Sequence, residues 1–162
     1  MIFSGKVVCI TGAARGIGFA LAKAFVSQGA EVILTDIDEK SGIKSATTLD
    51  ATFEKLDVRE HSSAQRAISR IVRKFGRCDV WINNAGIANH KLVIDLGPEE
   101  WKESIDVMLS GAFFCANQIG PVMIEQESGC LINIGSVNGL LAQKGRAPYC
   151  SAKAGLIMLT KV

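Results

Sequence analysis

Tyr149 and Lys153 lie four positions apart in the run Tyr149-Cys150-Ser151-Ala152-Lys153, and Ser136 precedes that tyrosine by thirteen positions. On a helix, residues at i and i+4 share a face, so the phenol and the ammonium can converge on one substrate oxygen. A phenol with a pKa of about 10 is a poor base at neutral pH. A neighbouring cation favours the phenolate, a tenfold change in the acid dissociation constant being worth roughly 1.4 kcal/mol, and the Ser136 hydroxyl can hold the same oxygen. The three side chains outline a proton-transfer site.

A second group lies near the start of the chain, where Lys6-Val7-Val8-Cys9-Ile10-Thr11 breaks into Gly12-Ala13-Ala14-Arg15-Gly16-Ile17-Gly18 and then into Phe19 to Val26. The apolar β-rich run, the glycines and the helical spacing that follows predict a strand, a turn and a helix. Glycines let the backbone approach a ligand pyrophosphate, and a helix N-terminus offers it free N–H groups and a partial positive charge. The spacing is Gly-x-x-x-Gly-x-Gly, which departs from the general dinucleotide fingerprint Gly-x-Gly-x-x-Gly.

Taken in order, Thr11-Gly12-x-x-x-Gly16-x-Gly18, Asn83-Asn84-Ala85-Gly86, Ser136 and Tyr149-x-x-x-Lys153 closely resemble the short-chain dehydrogenase/reductase family in its classical subtype. The match is collinear over the whole chain. The resemblance implies a Rossmann-type, doubly wound α/β fold: a parallel sheet in three α/β/α layers that binds NAD(P). It implies Ser136, Tyr149 and Lys153 as the catalytic set, with Tyr149 and Lys153 also touching the cofactor. Lys153 then bonds the nicotinamide ribose and lowers the tyrosine pKa. Gly12, Arg15, Gly16, Ile17 and Gly18 fall on the pyrophosphate turn, and Asn84, Ala85 and Gly86 on the strand end that braces the pocket.

Asp36 stands eighteen residues beyond Gly18, at the end of the next apolar run. A carboxylate there can accept both ribose hydroxyls of an adenosine and repels the extra phosphate of NADP, which favours NAD. Arg15 pulls weakly the other way, because a cation at that position can meet a 2′-phosphate. Asp57 and Val58 resemble the family pair at the adenine, Asp57 facing its amino group; a helix-capping aspartate is the plainer reading.

Two departures stand out. The family pattern Asp-Val-Asn-Leu-x-Gly carries an asparagine that joins the proton relay, whereas this chain has Asp106-Val107-Met108-Leu109-Ser110-Gly111. A thioether is a weak acceptor and no donor, so Met108 cannot hold a relay water as an amide does. The chain also reads as about two-thirds of a family domain, a C-terminally truncated form without the last strands and most of the substrate lid. Stopping after strand five leaves an apolar edge that invites association. The family commonly dimerises through the helix after strand four and the tyrosine helix, so a homo-oligomer is implied.

The elements that must position these groups alternate strand and helix throughout, as a parallel sheet covered on both faces requires. Glu31–Asp36 reads as strand two, Glu39–Leu49 as a polar helix, Phe53–Val58 as strand three and His61–Phe75 as a helix with apolar Ala64, Ala67, Ile68, Ile71, Val72 and Phe75. Val80–Asn83 reads as strand four. Gly97-Pro98-Glu99-Glu100 opens a helical stretch that runs to about Glu127, with proline first and two acids at the positive end. Leu131–Ile134 reads as strand five, and Gly135–Pro148 as the loop before the tyrosine helix.

Bulk composition narrows the classes. The length of 162 residues suits a single domain, 1–162, with a sizeable core. Eighteen basic and sixteen acidic residues leave a charge of +2, too little to argue for nucleic acid or a membrane. No run of 18 uncharged residues is apolar throughout. Five cysteines, widely spaced and without a Cys-x-x-Cys pair, point to a reducing, cytoplasmic compartment and no metal site. His61 and His90 read as surface or loop residues. Together these features are those of an NAD(H)-dependent oxidoreductase interconverting a secondary alcohol and a ketone. The alternative is a catalytically impaired NAD-binding fragment or subunit-interaction module.

Overall fold

The computed structural model describes residues 1–162 throughout. Five parallel strands form one sheet: β1 (Val7–Thr11), β2 (Glu31–Asp36), β3 (Thr52–Lys55), β4 (Val80–Asn83) and β5 (Cys130–Asn133), in spatial order β3-β2-β1-β4-β5. Six helices connect and cover them: α1 (Gly16–Ser27), α2 (Glu39–Leu49), α3 (His61–Phe75), α4 (Pro98–Ile105), α5 (Gly111–Glu125) and α6 (Ala147–Lys161). The expected doubly wound α/β arrangement is present.

Strands buried on both faces read as near-continuous apolar runs, and successive side chains must then enter opposite layers. Val7 and Cys9 of β1 join Ile33, Trp81, four residues of α3 (Ala64, Ala67, Ile68 and Ile71) and Cys115 and Ile119 of α5 in one layer. Val8 and Ile10 join Val32, Leu34, Val80, Ile82, Ala22 of α1 and Ala46 of α2 in the other. The helical stretch Pro98–Glu125 is long and apolar enough to cross a membrane by composition alone. Here Ala112, Cys115 and Ile119 are buried, and it serves as a core helix.

Several boundaries differ from the sequence reading, and α6 already opens at Ala147, inside the stretch read as loop. Strand three stops at Lys55 instead of Val58, because its partner β2 ends at Asp36, which pairs with Lys55. Strand five runs Cys130–Asn133, although Ile134 still donates its N–H to the Asn83 carbonyl. The helical stretch 98–125 is interrupted by a π-helical turn at Asp106–Ser110. β5 pairs only with β4, leaving its other side as a sheet edge.

At the N-terminal end of the sheet, Asp79 gathers Lys6 Nζ (2.9 Å), the Arg77 guanidinium (2.8 and 2.5 Å) and the Val7 N–H (2.9 Å). Burial alone would raise its pKa, but the bonds from Arg77, Val7 and Lys6 outweigh burial and hold it at about 2, against an ordinary 3.8. A carboxylate depressed by folding stabilises the fold above its unfolded pKa and loses that contribution as pH falls through the folded value. Asp79→Asn should therefore cost about 2 kcal/mol in urea unfolding at neutral pH. The gap to the native chain should narrow as pH drops from 3.8 toward 2. A gap independent of pH would mean the carboxylate charge is not what holds this end of the sheet.

Candidate active site

A cleft of about 450 Å³ opens where β1, β2 and β4 end, the side of an open α/β sheet at which ligands bind. Gly12 (φ +64°) and Gly16 (φ +60°) adopt left-handed backbone, and a Cβ on Gly12 would stand 2.8 Å from the Ala85 Cα. Gly18 meets the same limit by proximity, since a Cβ there would lie 2.6 Å from the Asn84 amide nitrogen. The first backbone bond of α1 runs from the Phe19 N–H to the Arg15 carbonyl, so the N–H groups of Gly16, Ile17 and Gly18 have no intrahelical partner. Gly12, Arg15, Gly16 and Ile17 all line the cleft, a cradle suited to phosphate.

The opposite wall is tied to this turn through Thr11. Its hydroxyl, 1% exposed, accepts the N–H groups of Asn84 and Ala85 at 3.0 Å each. The Asn84 amide donates back to the carbonyls of Thr11 (2.8 Å) and Gly12 (3.1 Å). Asn83 links the Trp81 indole (2.9 Å) to Asn133 (2.8 Å), bracing β4 against β5. Asn84, Ala85 and Gly86 thus line the cleft on a wall fixed by side-chain bonds. Thr11 opens the glycine motif read in the sequence, but its part in tying the two walls together, through its hydroxyl, emerges only from the structure.

Asp36 sits on the cleft wall with Oδ2 accepting the Ala14 N–H and Oδ1 the Asp38 N–H, both at 3.0 Å. Each oxygen keeps a further lone pair, so the carboxylate is preoriented and still able to accept from a diol. Ser45 donates to the Ala14 carbonyl at 2.7 Å, fixing the same residue from its other end. Asp57 and Val58 also line the cleft. Asp57 does not cap α3; its carboxylate takes the Arg59 guanidinium in a fork (2.9 and 2.7 Å) and the Arg59 N–H at 3.0 Å. The Arg59 hydrogen bond outweighs burial and holds the Asp57 carboxyl below its ordinary range.

Downstream of β5, Ser136 starts a short 3₁₀ turn (Val137–Gly139), its hydroxyl accepting the Asn138 N–H at 3.1 Å. That turn packs on α6: the Asn138 amide is 3.9 Å from the Cys150 Sγ, and a Cβ on Gly139 would lie 2.8 Å from the Lys153 carbonyl. Tyr149 and Lys153 share α6, with the Lys153 Nζ 5.8 Å from the tyrosine ring centre. Lys153 is 4% exposed, and burial lowers its pKa. Its one hydrogen bond goes to the Ile134 carbonyl at 2.5 Å.

Met108 is 1% exposed inside the π-helical turn, with its Sδ 3.7 Å from the Cβ position of Gly86. It packs behind the cleft wall. Asn117, nine residues on, faces α3 and contacts His61 and Gln118.

A profile of the short chain dehydrogenase family matches residues 6–162, essentially all of the chain. The chain belongs to the short-chain dehydrogenase family. Members of this family work with NAD or NADP and act on CH–OH groups. This short-chain dehydrogenase is 37% identical to the 3-oxoacyl-(acyl-carrier-protein) reductase FabG of Thermotoga maritima, over 99% of this chain and 68% of that protein. It is 35% identical to the meso-2,3-butanediol dehydrogenase of Serratia marcescens, over 99% of this chain and 65% of that protein. It superposes on a crystal structure of a short chain dehydrogenase from Mycobacterium smegmatis with a TM-score of 0.95 at 30% identity, covering 98% of this chain and 70% of that one. The chain thus spans about two thirds of the length of these relatives.

Proposed function

We propose that this chain is the cofactor-binding and catalytic part of an NAD(H)-dependent oxidoreductase that interconverts a secondary alcohol and a ketone. The observation that carries the reading is Lys153. An ammonium that is 4% exposed, with a single carbonyl partner and no carboxylate, keeps two donors unspent one turn from Tyr149. Burying a cation is costly unless those donors find partners, and a ribose diol beside the tyrosine would supply them.

When bound, the nicotinamide ring supplies the hydride acceptor or donor. The chain's own residues do the rest. Tyr149 exchanges the hydroxyl proton of the substrate, Ser136 orients the same oxygen, and Lys153 directs its free donors to the cofactor ribose beside them. The glycine turn from Gly12 to Gly18 holds the pyrophosphate, Asp36 the adenosine ribose and Asp57 with Val58 the adenine. The free thiols at all five cysteines suit a reducing cytoplasm. The helix pair after β4 and α6 are proposed as the surface of a homo-oligomer.

Lys153→Met should weaken NADH binding to the intact protein about tenfold, the value of one hydrogen bond from a charged donor. Calorimetry reads this directly, and unchanged affinity would remove Lys153 from the cofactor site. Met108 favours a second reading, a cofactor-binding subunit with impaired turnover. Met108→Asn separates the two: in a competent enzyme it should raise turnover while lowering thermal stability, since it buries a polar amide. A subunit without chemistry gains no turnover from it.

A further inference from the structure

We propose that Arg146 forms a carboxylate subsite beside Tyr149, so that the substrate is a hydroxy acid or keto acid with its carboxylate close to the reacting carbon. The inference rests on the dehydrogenase reading above. Arg146 precedes Tyr149 by three positions at the start of α6, and its guanidinium carbon lies 5.8 Å from the tyrosine ring centre. Its Nε is buried and has no hydrogen-bond partner. No carboxylate pairs with it, unlike Lys91 nearby, which is neutralised by Glu100 at 2.7 Å.

A buried donor without a partner is uncommon and costs stability, and here the Nε is closed to solvent while the residue is only half-buried, so the terminal guanidinium nitrogens are left open and unpaired for a ligand. The backbone around it is fixed: Lys91 donates its N–H to the Gly145 carbonyl at 2.8 Å, and a Cβ on Gly145 would fall 2.8 Å from the His90 ring. Charge points the same way. From Ser128 to Val162 the chain has Lys144, Arg146, Lys153 and Lys161 but no aspartate or glutamate. Two of these cations, Arg146 and Lys153, stand at equal distance from the Tyr149 ring. A planar guanidinium fork matches a carboxylate in two parallel bonds, which a phenol-bound carbonyl one helical turn away would bring into register.

The test uses the intact protein with NAD and three keto acids of increasing spacing, 2-oxobutanoate, 3-oxobutanoate and 4-oxopentanoate, each beside its methyl ester. Calorimetry of keto acid and ester on the complex with oxidised NAD, which cannot reduce them, is expected to show at least one acid bound about ten- to hundred-fold more tightly than its ester, the range of a charge-assisted hydrogen bond. Arg146→Gln should erase that ratio and leave NADH affinity unchanged, while Arg146→Lys should retain part of it. Equal affinity for acid and ester across the series, or a ratio that survives Arg146→Gln, overturns the subsite. NADH binding is measured first, in a separate titration. Its absence overturns the dehydrogenase reading and the subsite with it, whereas NADH binding without acid preference overturns the subsite alone.

Discussion

NAD should bind the intact protein about 10²-fold more tightly than NADP, and Asp36→Asn should shrink that ratio at least tenfold. The size follows from two charge-assisted bonds, at about 1.5–3 kcal/mol each, being exchanged for repulsion between a carboxylate and a phosphate. Asp36 is held for this task by the N–H groups of Ala14 and Asp38, so little reorganisation opposes ribose binding. Asparagine removes the charge but keeps an acceptor for only one of those two amides, so a melting curve beside the binding data separates the electrostatic effect from loosening of the turn. Arg15, exposed on the same cleft, is the cation that NADP would use once Asp36 is neutral. Tighter binding of NADP than of NAD by the native protein would contradict this reading.

Tyr149→Phe should lower turnover by about 10²- to 10⁴-fold, the usual range for a general acid–base group. Only the hydroxyl is lost, so the ring keeps its place between the Arg146 and Lys153 cations and the fold of α6 is undisturbed. NADH affinity should change little. A variant that retains native turnover would exclude Tyr149 as the proton-transfer residue. One that also loses cofactor binding would show that the hydroxyl serves chiefly to hold the cofactor.

The parts of the fold legible in the sequence are those fixed by short-range pattern. β1, β2 and β4 are apolar on both faces, and the α3 residues Ala64, Ala67, Ile68 and Ile71 recur at helical spacing, so each announces its own layer. The glycine turn was legible for a related reason: Gly12, Gly16 and Gly18 occupy places where a Cβ is strained or obstructed. What escaped is set by partners distant in sequence. Strand three ends where β2 ends, which no property of Leu56 or Val58 reveals. The Asp57–Arg59 fork replaces the helix cap that was the alternative reading of Asp57, because the chain turns back on itself after β3. The π-helical turn at Asp106–Ser110 alters backbone register without a glycine or proline inside it, and Met108 was therefore visible as a substitution but not as a buried packing residue. The unpartnered Arg146 Nε likewise needed three dimensions to appear.

The central claim is that hydride passes between a cofactor seated on the glycine turn and a substrate carbon held at Tyr149. The most direct measurement supplies the intact protein with NADH carrying deuterium at nicotinamide C4 and a panel of ketones and keto acids, and follows the alcohol products by mass spectrometry. We expect deuterium on the carbinol carbon of at least one product, from one face of the nicotinamide only, with the label transfer suppressed in Tyr149→Phe. Saturable NADH binding with no labelled alcohol from any carbonyl compound would contradict the claim and leave a dinucleotide-binding subunit in its place.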